Sequence, residues 1–204
     1  MDSTITEFFA SMFGSRAIEI IAATCGFINV ALIIRRSIWN YPFGILMVIL
    51  YAWIFYDYRL YSDALLQVFF LVIQVFGLFW WLSGRNAQGQ VIVRSMPPAQ
   101  FGMVLAAGTV GAGILGLLMH RYTDASLPFA DASVAALSVV AQTLLARRFL
   151  QNWYVWIAVD VLAIGVFATK SLVPTATLYA LFLVLAVTGL LTWQRAWRNG
   201  TAVA

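Results

Sequence analysis

The sequence predicts an all-α integral membrane protein: seven transmembrane helices, arranged as two parallel three-helix repeats joined by one linking helix, a 3+1+3 plan. Three observations predict it. Of 204 residues, 63% are hydrophobic and only 10% charged, with mean hydropathy +0.90, whereas a soluble domain carries about 25% charged residues. Apolar runs of about 20 residues, the length that crosses a bilayer, recur seven times between polar linkers. Shifting the chain by 112 residues lays the first three runs on the last three without a gap.

The elements follow in order. Thr4-Ile5-Thr6-Glu7 has the spacing of a helix-capping box, and Ile5, Phe8, Phe9, Met12 and Phe13 share one helical face. Residues 4–13 are therefore expected to form an amphipathic helix within an interfacial segment, 1–16, with a disordered start as the alternative. The acidic residues Asp2 and Glu7 there do not fit the basic start of a cleavable signal peptide. Spans are expected at 17–34, 40–57, 62–82, 100–120, 128–146, 151–169 and 173–194. The first repeat is thus 17–82 and the second 128–194. Between them lie a cytoplasmic loop, 83–99, with its Pro97-Pro98 breaker, and the linking helix, 100–120. That helix carries Gly102, Gly108, Gly111, Gly113 and Gly116 as a packing surface. A basic cytoplasmic tail, 195–204, closes the chain.

The basic residues fix the orientation. After spans 1, 3, 5 and 7 come Arg35, Arg36, Arg85, Arg94, Arg147, Arg148, Arg195 and Arg198; the other side holds only Arg16, Arg59, Arg121 and Lys170. Eight against four puts the first set in the cytoplasm, with the N-terminus outside and the C-terminus inside. Trp39, Trp80, Trp81, Trp153, Trp193 and Trp197 fall near the same inner ends, as an aromatic belt does. The formal charge of +4 is thereby a matter of topology and not of nucleic-acid binding. Single Cys25 excludes a disulfide framework and a cysteine metal cluster.

Function is concentrated in the sixth span, NWYVWIAVDVLAIGVF at 152–167. On a helix turning about 100° per residue, Asn152, Trp153, Trp156 and Asp160 share one arc about 100° wide. Asp160 lies near mid-membrane, where a carboxylate costs at least ~2.5–3.5 kcal/mol. An anion beside two indoles suits an aromatic cation, through stacking and cation–π attraction. In repeat-built transporters the site lies at mid-membrane, which brings in the partner spans. Span 2 offers Asn40, then Tyr41, Gly44 and Val48 as counterparts of Trp153, Trp156 and Asp160. Span 3 offers Gln67 and Gln74 on one face with Phe70 nearby, and span 7 offers Tyr179 at the place of Gln67.

At these residues the chain resembles the PnuC family of vitamin transporters. The resemblance rests on Asn40-Tyr41 with Phe43-Gly44, on LYSDALLQVFF at 60–70, and on Gly77. In the second half it rests on Leu137-Ser138, Arg147, Asn152-Trp153 with Trp156, Tyr179, Gly189 and Trp193. It implies a SWEET-like fold in a bacterial inner membrane and facilitated diffusion of a B-vitamin, nicotinamide riboside above all. It also implies a homotrimer and a cytoplasmic kinase that phosphorylates the imported vitamin. The span 3 glutamines and the span 6 tryptophans with the polar residue after them would line the site. Two positions depart from the family pattern: Asp160 and Gln74 both stand where asparagine is expected. Thiamine is a second cationic candidate, and riboflavin a neutral one that Asp160 disfavours.

On this reading Trp156, with or without Trp153, stacks on the ring, and Asp160 balances its charge. Gln67, Gln74, Asn40 and Asn152 bond ribose hydroxyls or the amide. Plainer roles stand beside these. Asp160 is alternatively a structural hydrogen-bond partner or a proton-coupling group, Trp153 an interfacial anchor, and the glutamines interhelical ties. No cofactor or metal is expected, and the inventory for an enzyme is thin: one His (His120), one Cys, no H-E-x-x-H pair and no phosphate-cradling Gly-Lys motif. A non-transporting membrane bundle is the alternative from another class.

Overall fold

Left-handed residues stop three of the helices. In this computed structural model, which describes residues 17–57, 61–86 and 91–201, Arg36, Arg148 and Ser171 have φ of 56°, 65° and 59°. Around Arg36 the N–H of Ser37 donates to Leu32 O (2.9 Å) and that of Arg36 to Ile33 O (2.9 Å). These are the two bonds of a Schellman stop, which satisfies carbonyls that the helix end would otherwise leave bare. The same pair recurs 112 residues on, from Phe149 to Leu144 O and from Arg148 to Leu145 O. An arginine in this conformation costs roughly 1–2 kcal/mol relative to glycine. One arginine of each pair therefore shapes the turn that ends its helix.

The described residues form seven helices: α1 Ala17–Ile34, α2 Asn40–Asp57, α3 Tyr61–Ser83, α4 Pro98–Tyr122, α5 Pro128–Ala146, α6 Asn152–Thr169 and α7 Val173–Thr201. Pro98 and Pro128 open their helices at positions where a missing N–H loses nothing. The boundaries lie within two residues of the expected spans, except that α7 continues past Arg195 and Arg198 to Thr201. Among the described residues, five helices are long and apolar enough to cross a membrane: α3 (from Asp63), α4, α5, α6 and α7, the last to Gly200. The apolar part of α1, Ile18–Ile34, is shorter, and α2 is trimmed by polar ends, Asn40-Tyr41 and Tyr56-Asp57. The amphipathic helix expected at 4–13 lies outside the described residues.

The chain divides into two compact units, one ending at Val91 and the other beginning at Ile92. In the first, α2 packs against both α1 and α3. In the second, α4 packs on α5, α5 on α6 and α6 on α7. A cluster of Ala141, Leu144, Phe149 and Val155 anchors the second unit, with Phe101, Val104 and Leu137 against it. Phe149 and Leu144 are also the apolar pair of the Schellman stop, so the turn is held by the core it closes. Large apolar side chains such as Leu65, Val68, Met103, Val110, Val173 and Val184 stay exposed along the helices. Outward apolar faces this extensive fit hydrocarbon and not water.

Described residues of the loop expected at 83–99 make backbone contacts. Arg85 and Val91 form an antiparallel bridge, and the half-buried guanidinium of Arg36 donates to Val91 O (3.2 Å). Burial lowers the pKa of Arg36 from the ordinary arginine value. In the second unit, Arg94 bridges to Phe149 in parallel.

Candidate functional site

In the first unit three helices converge on Gly44. Gln74 of α3 is buried and donates from Nε2 to Gly44 O (3.1 Å). The oxygens of Gln74 and of Asn29, from α1, both crowd the place a Cβ on Gly44 would occupy. Asn29 Oδ1 has no hydrogen-bond partner among the described residues. Asn40 is spent locally, donating from Nδ2 to Ser37 O (2.6 Å). Tyr41 is buried edge-on against Trp81, ring centroids 5.5 Å apart at 88°. Gln67 and Phe70 are half-buried, Phe70 beside Phe69 at 5.9 Å. Gln74 is thus already engaged within α1–α3, whereas Gln67 keeps access to space outside them.

In the second unit α6 carries the arc described above. Its buried residues are Asn152, Trp153, Val155, Val159, Asp160, Ala163 and Val166. Asp160 is 4% exposed, and no hydrogen bond or ion pair reaches its carboxylate from the described residues. Asn152 donates from Nδ2 to Phe149 O (2.7 Å) and leaves Oδ1 unpartnered among the described residues. Trp153 meets Trp193 edge-on, at 5.7 Å and 84°, while its six-membered ring lies against Gly189. Its Nε1 is likewise buried without an acceptor there. Trp156 lies inside the same arc yet keeps partial exposure, one side packed on the Ala141–Leu144 cluster. Of the two indoles, Trp156 is the one that keeps part of its ring exposed. Tyr179 of α7 stacks on Phe167 (5.3 Å, 17°) and meets Phe182 edge-on (6.4 Å).

Comparing the two triple-helix sets separates frame from chemistry. The Asn40 and Asn152 side-chain bonds repeat, as do the edge-on pairs Tyr41–Trp81 and Trp153–Trp193. Those residues belong to a shared frame. At the other equivalent positions the sets diverge. Val48 corresponds to Asp160, Gly44 to Trp156, and Asn29 and Gln74 to Ala141 and Ala186, all but Trp156 being buried. Since valine fills the Asp160 position in the first set, the frame itself does not require a carboxylate there. Asn29 is absent from the residues singled out on sequence, although an amide in an apolar run was the available signal. Gln151 is absent too, because a polar residue at a span's edge carries no such signal.

Comparison with known proteins gives a consistent picture. The family model described as nicotinamide mononucleotide transporter matches residues 16–195. The nicotinamide riboside transporter PnuC of Neisseria mucosa is 28% identical over 187 residues, covering 86% of this chain and 71% of the relative. That of Escherichia coli K12 is 27% identical over 208 residues, covering 89% and 87%. The riboflavin/roseoflavin transporter RibM of Streptomyces davaonensis is also 27% identical, covering 86% and 83%. A crystal structure of the vitamin B3 transporter PnuC shares the fold, with TM-score 0.77 over 96% of this chain and 88% of that one, at 24% identity.

Proposed function

Because the chain belongs to the nicotinamide mononucleotide transporter family, we propose that it carries an aromatic B-vitamin cation, nicotinamide riboside, across a bacterial inner membrane by facilitated diffusion. The observation that carries this reading is Asp160: a buried carboxylate without a protein partner among the described residues, one turn from the half-open indole of Trp156. A pyridinium ring stacked on Trp156 neutralises that carboxylate and offsets its cost in a low-dielectric interior.

The riboside is favoured over its phosphorylated form. Helices α1, α2, α3, α5 and α6 contain no lysine or arginine. A phosphate dianion there would meet Asp160 with no cation to bind it. The 3+1+3 plan, with the N-terminus outside, is supported by the charge sorting and by the local geometry common to the two triple-helix sets. The vitamin moves down its gradient, and a cytoplasmic kinase retains it by phosphorylation. No chemistry is done on the cargo, so the protein is not an enzyme. Riboflavin is the second reading, favoured by the likeness to the Streptomyces protein and opposed by the charge of Asp160.

Liposomes containing the purified protein test this. Labelled nicotinamide riboside should equilibrate into them unaltered, as mass spectrometry of the contents would show. Exclusion of the label, or a chemically changed product, would refute the proposal.

A further inference from the structure

The start of α6 is tied down by a clasp that its counterpart does not show among the described residues. Gln151, the residue before α6, is 8% exposed. Its Oε1 accepts from Met96 N (3.1 Å), and its Nε2 donates to Met96 O (2.9 Å) and Ser95 Oγ (3.1 Å). The neighbouring backbone repeats the tie: Arg94 N donates to Arg148 O (2.9 Å) and Leu150 N to Arg94 O (2.8 Å). Above it the Arg94 guanidinium lies 4.9 Å from the centre of the Phe149 ring. Both ends of the Gln151 amide are satisfied, which makes a buried polar contact rigid as well as stabilising.

The first triple-helix set supplies an internal control. There the residue equivalent to Gln151 is Trp39, 67% exposed. Helix α2 nonetheless starts with the same backbone bonds, Asn40 N to Ser37 O and Tyr41 N to Ile38 O, and the same asparagine side-chain bond. Gln151 itself makes no side-chain cap to the helix. Starting α6 therefore does not require it. What the glutamine adds is a fixed connection between α6 and the segment that leads into α4 at Pro98.

We propose that Gln151 is a positioning residue: by locking the first turn of α6 to Ser95 and Met96, it fixes the rotation at which Trp156 and Asp160 are presented. A helix pinned at the residue that precedes it cannot roll without breaking three hydrogen bonds. A roll of one residue, about 100°, would carry Asp160 off the site arc. The inference rests on the function proposed above for its binding readout, but its second readout is independent of any substrate.

The test uses the full-length protein in lipid nanodiscs, with Gln151→Ala, Gln151→Glu and Ser95→Ala. Calorimetry with nicotinamide riboside should show about tenfold weaker binding for Gln151→Ala. Ser95→Ala, which removes one bond of three, should show a loss of about threefold. Gln151→Glu, which keeps the acceptor for Met96 N but loses both donors, should resemble Gln151→Ala. Hydrogen exchange, measured without ligand, should speed up at Met96 and through residues 152–156 of Gln151→Ala while α7 is unchanged. A lowered melting temperature with binding and exchange at α6 unchanged would make Gln151 merely structural and overturn the inference. If the wild type bound no riboside, the proposed substrate would fall, and the exchange rates would still decide whether the clasp holds α6.

Discussion

Replacing Gly189 by alanine drives a methyl group into the indole of Trp153. A Cβ built there lies 2.5 Å from Cη2 and Cζ2 and 2.6 Å from Cζ3, whereas non-bonded carbons rest about 3.5–4.0 Å apart. The ring must recoil by roughly 1 Å, and it has little room, since Trp153 and its edge-on neighbour Trp193 are both buried. Overpacking of this kind costs about 1–3 kcal/mol. At ~2–4 °C of melting temperature per kcal/mol for a chain of this size, differential scanning fluorimetry of purified protein should resolve it. Gly165→Ala, on α6 with nothing within 4 Å beyond its chain neighbours and its own helix backbone, is the control and should be neutral or stabilising by up to ~1 kcal/mol. Trp153→Phe removes the outer ring atoms that meet the methyl. The double variant Gly189→Ala/Trp153→Phe should therefore melt higher than the sum of the single effects predicts, by the equivalent of ~1 kcal/mol or more. Strict additivity, or a Gly189→Ala variant as stable as wild type, would refute the packing of Trp153 on α7.

Two further outcomes follow from single contacts. Lys170 and Asp131, bonded at 2.8 and 2.9 Å and each about a quarter exposed, tie the end of α6 to the start of α5. Lys170→Ala should lower stability by about 1 kcal/mol, and a double-mutant cycle with Asp131→Ala should recover a coupling of ~0.2–1 kcal/mol; zero coupling would discount the pair. Gln74→Leu removes one interhelical bond to Gly44 O, which within a bilayer is worth about 0.6 kcal/mol and at most ~1.7. The melting temperature should fall by a few degrees with riboside affinity unchanged within about twofold. A tenfold loss of affinity at constant stability would instead make Gln74 a ligand.

Most of the helical plan was legible because it depends on the bilayer. A span of set length with few charges leaves little freedom, so the ends of α1, α2 and α5 fell where hydropathy put them. The 112-residue recurrence of Arg-Arg, Asn, Gly and Trp stands out because they are not filler in an apolar chain, and matching Schellman turns and edge-on aromatic pairs accompany it. The division of labour among the aromatics was not legible. Helical periodicity puts Trp153 and Trp156 on one arc, but only packing tells that Gly189 and Trp193 occupy the first while the second stays half-open. Asn29 and Gln151 were missed for a related reason: their meaning depends on which backbone they meet, at Gly44 and Met96, and those partners are 15 and 55 residues away. The left-handed turn at Arg36 was hidden as well, because its sequence carries no glycine to announce it.

Under the proposed function, Asp160 recognises positive charge. Val48 at the equivalent place in the first triple-helix set supplies a tolerated replacement, so Asp160→Val should fold at least as well as wild type. Isothermal titration of wild type, Asp160→Asn and Asp160→Val with nicotinamide riboside, and with its uncharged reduced pyridine analogue, measures the claim directly. Wild type should prefer the charged compound by at least tenfold, about 1.4 kcal/mol, and both variants should lose that preference. Equal affinity of wild type for the two compounds, or a preference that survives in Asp160→Val, would contradict it.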